Sequence, residues 1–185
     1  SSLHPGERTW SKFREIWTRR CRLKTEAGLP AEFRPMQTFL PYADFARSLA
    51  VLDPRRLGKQ RVEAYQLVRA VTVGTGWSRH PAARMWSGHV NALKRYYNLA
   101  VEEWVRRGYR NSMKKMPVRG RVVMPPFVGD ERFHAAHRSN LLRKDPVFYA
   151  RWGWTEPPDL PYVWGRPAPG ADQMLSKRPR KAASG

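Results

Sequence analysis

Four aromatic residues, Phe148, Tyr149, Trp152 and Trp154, stand in and just after a Pro-x-Phe-Tyr-x-x-Trp-Gly run, Pro146 to Gly153, directly behind an Arg/Lys-rich stretch. Aromatic faces set among fixed cations can hold DNA while its bases are handled. Lys and Arg neutralise phosphates and give affinity without sequence information, while the rings stack on bases or wedge a distorted step. The competing reading of the same run is an aromatic plug that closes a helical core. Histidines form a second group. His134 and His137 are spaced i,i+3, and with His89 three imidazoles could converge on a metal. No cysteine supports them, and His-x-x-His without a third positioned ligand is a weak signal, so the expectation is no metal and no cofactor. Phosphate or core hydrogen bonds suit these histidines better, with Arg138 and Asn140 as polar contacts beside them.

Charge decides what such residues would meet. The 185-residue chain carries 35 Lys+Arg against 15 Asp+Glu, a formal net charge of +20. Residues 36–165 alone hold 22 Lys+Arg and 10 Asp+Glu, a balance of +12, so the positive field belongs to the expected folded unit. A polyanion is the expected partner, double-stranded DNA first and RNA as a possibility. No stretch approaches the roughly 20 apolar residues that span a bilayer, which argues against a membrane role. Cys21 is the only cysteine, which excludes an internal disulfide and fits a reducing compartment. The opening residues lack an apolar signal core, which points to a cytoplasmic, nucleoid-associated protein. With 41% hydrophobic residues and eight Trp, the chain can build one core, and a monomer is expected.

The elements that must position these residues are helical. Trp10, Phe13, Ile16 and Trp17 recur at helical spacing and read as an N-terminal helical extension, residues 1–35. Pro41 to Leu49 reads as a short helix. Asp53 and Pro54 make an N-cap and first-turn pair that opens a helix through about Val73. After a turn around Gly74, Gly76 and His80-Pro81, one long helix runs from about Met85 to Gly108, with an apolar stripe through Trp86, Leu93, Tyr97 and Trp104. Residues 109–129 lack periodicity and read as a basic loop, with Val122 to Met124 as a brief extended piece. Asp130 caps a last helix, Glu131 to about Lys144, which stops ahead of Pro146. Residues 166–185 read as a disordered basic tail. The expected fold is all-α: one compact helical domain, 36–165, flanked by the extension and the tail.

Several segments in this order resemble the pyrimidine-dimer DNA glycosylase superfamily of the endonuclease V type. The carriers are Gly88-His89-Val90, Arg106-Arg107-Gly108-Tyr109, Arg61-Val62 and the Pro146, Phe148, Tyr149, Gly153 set. Met36 to Tyr42, Leu57 to Glu63 and His137 to Pro146 are similar to a bacterial branch of it. The resemblance covers most of residues 36–154. It implies a repair enzyme that cleaves the glycosidic bond at a damaged pyrimidine and then nicks the backbone by β-elimination. Such chemistry needs a neutral amine to attack the sugar C1′ and a carboxylate to stabilise positive charge and move protons. In the family the amine is an N-terminal α-amine. Here 35 residues precede Met36, the position matching the family's start, so Met36 supplies the amine only if it is N-terminal. Registering Arg61-Val62 on the family helix puts Gly58 where the family's glutamate stands.

Lys59 and Glu63 offer a substitute pair, since i,i+4 spacing puts them on one helix face. Lys59 would need its pKa lowered by about 3 to act at neutral pH, which a close carboxylate opposes. The plain alternative is a salt bridge or a phosphate-contacting lysine. The candidate catalytic residues are therefore Lys59, Glu63 and Met36. Those expected to bind DNA are Arg55, Arg56, Arg61, His89, His137, Arg138, Phe148, Tyr149 and Trp152. The rival functions are a non-catalytic DNA-binding protein that kept the fold, and a nucleoid- or RNA-associated basic protein.

Overall fold

The computed structural model divides into two units, residues 1–35 and 36–185, and describes residues 36–74 and 77–170, all in the second unit. The expected N-terminal helical extension and residues 171–185 of the basic tail lie outside the described residues. Six α-helices make up the described fold: α1 (Phe45–Ala50), α2 (Pro54–Val73), α3 (Pro81–Met85), α4 (Val90–Arg106), α5 (Glu131–Lys144) and α6 (Pro146–Tyr149). Two 3₁₀ turns accompany them, Pro126–Gly129 before α5 and Ala150–Trp152 after α6. Among the described residues there is no strand, so the fold is all-α as expected.

Helix α2 begins and ends where the sequence places it. The Asp53 carboxylate accepts from Arg56 N at 3.0 Å, Pro54 occupies the first turn, and Gly74 closes the helix in the left-handed region at φ 74°. Asp53 does more than cap. Its second oxygen accepts from the buried Tyr149 hydroxyl at 2.6 Å and from Arg56 Nη1 at 2.5 Å, which ties the start of α2 to α6. Burial raises the Asp53 pKa, but hydrogen bonds from Tyr149 and Arg56 outweigh it and hold the carboxyl below its ordinary value.

The long helix expected from Met85 to Gly108 starts later, at Val90, and Met85 instead ends the separate α3. Gly88 adopts φ 85°, and His89 (φ −121°, ψ 34°) is the non-helical cap of α4, so the chain turns between α3 and α4. An apolar stripe alone cannot report that break. The first helix is also shorter than read, starting at Phe45 behind an Asp44 cap. Helices α2 and α4 pack closely: a Cβ on Gly58 would lie 3.0 Å from Trp104 Cζ3. Trp86, Tyr96, Phe133 and Tyr149 are fully buried, and Trp86 meets Phe127 edge to face at 5.2 Å between centroids.

Residues 36–42 form no regular element, yet they are buried between helices. A segment of this kind must find partners for its backbone. Side chains supply them. Gln60 Nε2 donates to Gln37 O at 2.8 Å, and Phe39 N donates to Gln60 Oε1 at 2.9 Å. Tyr96 OH donates to Phe39 O at 2.9 Å, and Arg138 Nη1 donates to Pro41 O at 2.8 Å. His134 Nδ1 lies 2.7 Å from Leu40 O, while Leu40 N reaches His137 Nδ1 at 3.5 Å. Asn140 Nδ2 donates to Gln37 Oε1 at 3.0 Å. The Met36–Tyr42, Leu57–Glu63 and His137–Pro146 segments singled out in the sequence are thus parts of one assembly.

Candidate active site

At the end of that buried segment lies a carboxylate with three nitrogens on it. Glu63, on the inner face of α2, has a side chain only 5% exposed. Lys59 Nζ stands 3.2 Å from Glu63 Oε1, and Gln60 Nε2 donates to Oε2 at 2.8 Å. The main-chain N–H of Gln37 also hydrogen-bonds to this carboxyl. Burial pushes the Glu63 pKa up to about 7, against the opposing pull of Lys59, the Gln37 N–H and the Lys144 charge. A carboxyl so placed exists in both protonation states near neutral pH, which suits it to moving protons.

Two tyrosines stand near it. Burial first, and the Glu63 charge second, raise the pKa of both Tyr96 and Tyr162, so each remains a neutral hydroxyl. Tyr96 OH also donates to Gln60 Oε1 at 2.6 Å, fixing the amide whose other end holds Glu63. Arg143 Nη2 donates to Asn140 Oδ1 at 3.1 Å, so the end of α5 is linked through Asn140 to Gln37. The geometry therefore places an amine and an orienting amide within hydrogen-bond reach of one carboxyl.

Lys59 and Glu63, paired by spacing in the sequence, meet here, and Met36 lies buried one residue before Gln37. Gly58 faces elsewhere. It is five residues from Glu63, which at about 100° per residue is about 140° round the helix, and it packs against Trp104. Glu63 thus lies about one and a half turns further along α2 than the position the linear register suggested for a carboxylate.

The residues expected at DNA divide by position. Arg55 is exposed, and Trp152 is 40% exposed. Phe148 is half-buried, with the Arg151 guanidinium 4.0 Å above its ring. Arg56 lies over Tyr149 and is paired with Asp53. The others are held inside. Arg61 is 7% exposed, with its guanidinium 4.0 Å from the Trp104 ring centroid and Nη1 donating to Asn111 Oδ1 at 2.9 Å; burial lowers its pKa. His89 Nδ1 meets Val123 O at 3.1 Å. His137 is fully buried, and its pKa is pushed down to about 3 by burial and by the neighbouring His134. For Arg138, burial works against the charge, but Glu131 and Glu156 hold the guanidinium above its ordinary value. Tyr149 stacks on Trp154, centroids 5.6 Å apart and planes 10° apart, so the plug reading describes Tyr149 while Trp152 faces solvent.

The histidines do not assemble a metal centre. His134 lies between Leu40 O and Val128 O, at 2.7 and 2.9 Å, and Tyr162 OH stands 3.3 Å from His137 Nε2. Among the described residues, no group of three or more His, Cys, Asp or Glu side chains is placed to hold a metal ion. Sequence reasoning missed Gln60, Tyr96 and Tyr162. Gln60 sits between Lys59 and Glu63 in the chain and carried a signal in that adjacency; the two tyrosines come from distant segments and carried none.

A partly exposed amine and a buried carboxylate thus share one face of α2 on an all-α frame. Residues 36–117 match the family described as pyrimidine dimer DNA glycosylase, which supports the resemblance to that superfamily. No curated protein and no solved structure matches the chain. The match takes in residues 36–42, α2 and α4, whereas α5 and the aromatic run lie beyond it. No helix among the described residues is long and apolar enough to cross a membrane.

Proposed function

We propose that this domain is a DNA glycosylase with associated lyase activity, acting on damaged pyrimidines in duplex DNA through an amine nucleophile, and that in the intact chain the amine is Lys59. The supporting observation is the placement of Glu63, buried and shared by Lys59 Nζ, Gln60 Nε2 and the Gln37 N–H. Glu63 takes the proton that Lys59 must lose before attack. The freed nitrogen lone pair forms a bond to C1′, and the glycosidic pair departs with the base. Opening of the sugar ring then gives the imine, and loss of a C2′ proton expels the 3′ phosphate. Glu63 carries protons between these steps and stabilises the cationic intermediates as a carboxylate.

Arg55, Trp152 and Phe148 are the residues best placed to meet DNA, and Lys144 and Arg143 at the end of α5 add charge near the same carboxyl. His89, His137, Arg138 and Arg61 serve it indirectly, by holding the frame. A second reading rests on the Gln37 N–H. Because that nitrogen already hydrogen-bonds to Glu63, a chain whose first residue is Met36 would carry a terminal amine one residue from the same carboxyl. Incubating the chain with a duplex bearing a cyclobutane pyrimidine dimer, with and without borohydride, tests the proposal. Strand nicking, and a covalent protein–DNA adduct in borohydride, support it. A protein that binds the duplex yet yields neither is a binder without chemistry.

A further inference from the structure

Residues 109–125 contain no Asp or Glu and form no helix or strand, yet they are held at many points along α4. Side chains of α4 and its cap take the carbonyls in reverse order. Tyr97 OH donates to Lys114 O at 2.7 Å, Asn98 Nδ2 to Met116 O at 2.8 Å and Lys94 Nζ to Pro117 O at 3.5 Å. Asn91 Nδ2 donates to Arg119 O at 2.7 Å and Arg121 O at 3.1 Å, and His89 meets Val123 O. Asn98 Oδ1 also accepts from Met116 N at 2.7 Å. From Pro117 to Val123 the captured carbonyls belong to alternate residues, as in an extended chain. The segment is therefore a strap running antiparallel to α4. Its Arg110, Lys114, Lys115, Arg119 and Arg121 side chains are all exposed. One exposed acid, Glu102, pairs with Lys115 at 2.7 Å. Glu103 is taken by Arg106 and Arg107.

The strap does not lie beside Glu63. Asn91, Lys94 and Asn98 share one face of α4 by i,i+3,i+7 spacing, whereas Tyr96, which donates to Gln60, is two residues from both Lys94 and Asn98. At about 100° per residue that is roughly the opposite side of the helix. We infer that the strap is a second DNA-backbone surface, directed away from the candidate active site, which holds a separate lesion-free duplex segment. Extended backbone with outward cations tracks phosphates without reading bases. This inference rests on the proposed DNA reading but not on its chemistry.

The test uses the full chain and a lesion-free duplex of about 12 base pairs at low salt, with stoichiometry measured by sedimentation. Two duplexes per chain are expected for the wild type, and one for a variant with Gln at Arg110, Lys114, Lys115, Arg119 and Arg121. The slope of log affinity against log salt for the second duplex should vanish with it. Asn91→Ala, which frees two strap carbonyls and leaves every cation in place, should weaken the second duplex several-fold. Circular dichroism and melting show that each variant is folded, and borohydride trapping on abasic DNA is read in parallel. A wild type that binds one duplex overturns the inference, as does a five-site variant that binds two or loses both. Absent trapping with two-duplex binding intact would instead count against the lysine chemistry alone.

Discussion

Replacing Glu63 with Gln keeps the shape of the buried side chain and removes its ability to ionise. In the folded protein burial raises this carboxyl from 4.5 to about 7, so between those values the native state binds a proton that the unfolded chain has released. Stability must then fall as pH rises. It is complete below about pH 4.5 and lost progressively as pH climbs through 7. Worked from these two values, the Glu63 contribution drops by about 2–3 kcal/mol between pH 5 and pH 8. Urea denaturation of wild type and Glu63→Gln across this range isolates it, because other groups contribute equally to both proteins. The variant should lack about 2–3 kcal/mol of the wild-type decline. Parallel pH profiles would show that Glu63 is not held near neutrality, and the proton-shuttling role would fail with that result.

Other perturbations read the frame. Asp53→Ala removes the α2 cap and leaves the buried Tyr149 hydroxyl without its acceptor, so denaturation should show a loss of about 3 kcal/mol. Because the Asp53 carboxyl is held below 3.8, that contribution is present above about pH 4 and fades as pH falls further, so the variant should show a shallower acid limb. Gly58→Glu, which restores the family's acid by linear register, should destabilise by about 1–3 kcal/mol through overpacking on Trp104 and should not raise nicking; increased activity would mean the acid belongs there. Trp152→Ala should leave the melting temperature within a few degrees, since the ring is 40% exposed, and should weaken binding to dimer-containing duplex more than to plain duplex. Equal weakening of both, or unfolding, would assign Trp152 to the core.

Helix α2 was fully legible because its punctuation is local: Asp53 and Pro54 at one end, Gly74 at the other. The break between α3 and α4 was not, because a stripe through Trp86, Leu93 and Tyr97 is continuous in sequence while Gly88 turns left-handed. The Lys59–Glu63 pairing could be read from i,i+4 spacing alone. Its burial could not, since it depends on residues 36–42 lying over α2. His137 and Arg138 looked like phosphate ligands because polar, cationic groups in a basic chain usually face outward. They turn inward because residues 37–41 need partners for carbonyls that no helix or strand supplies. The strap was recognised as basic, but only the row of α4 side chains beneath it shows it to be built.

Borohydride trapping of the intact chain on abasic duplex DNA, followed by peptide mapping of the adduct by mass spectrometry, tests the central claim most directly. One cross-linked peptide is expected, modified at Lys59 and missing in Lys59→Ala, while that variant still binds duplex within a few fold. A cross-link at any other amine of the intact chain, or undiminished trapping by Lys59→Ala, would contradict it.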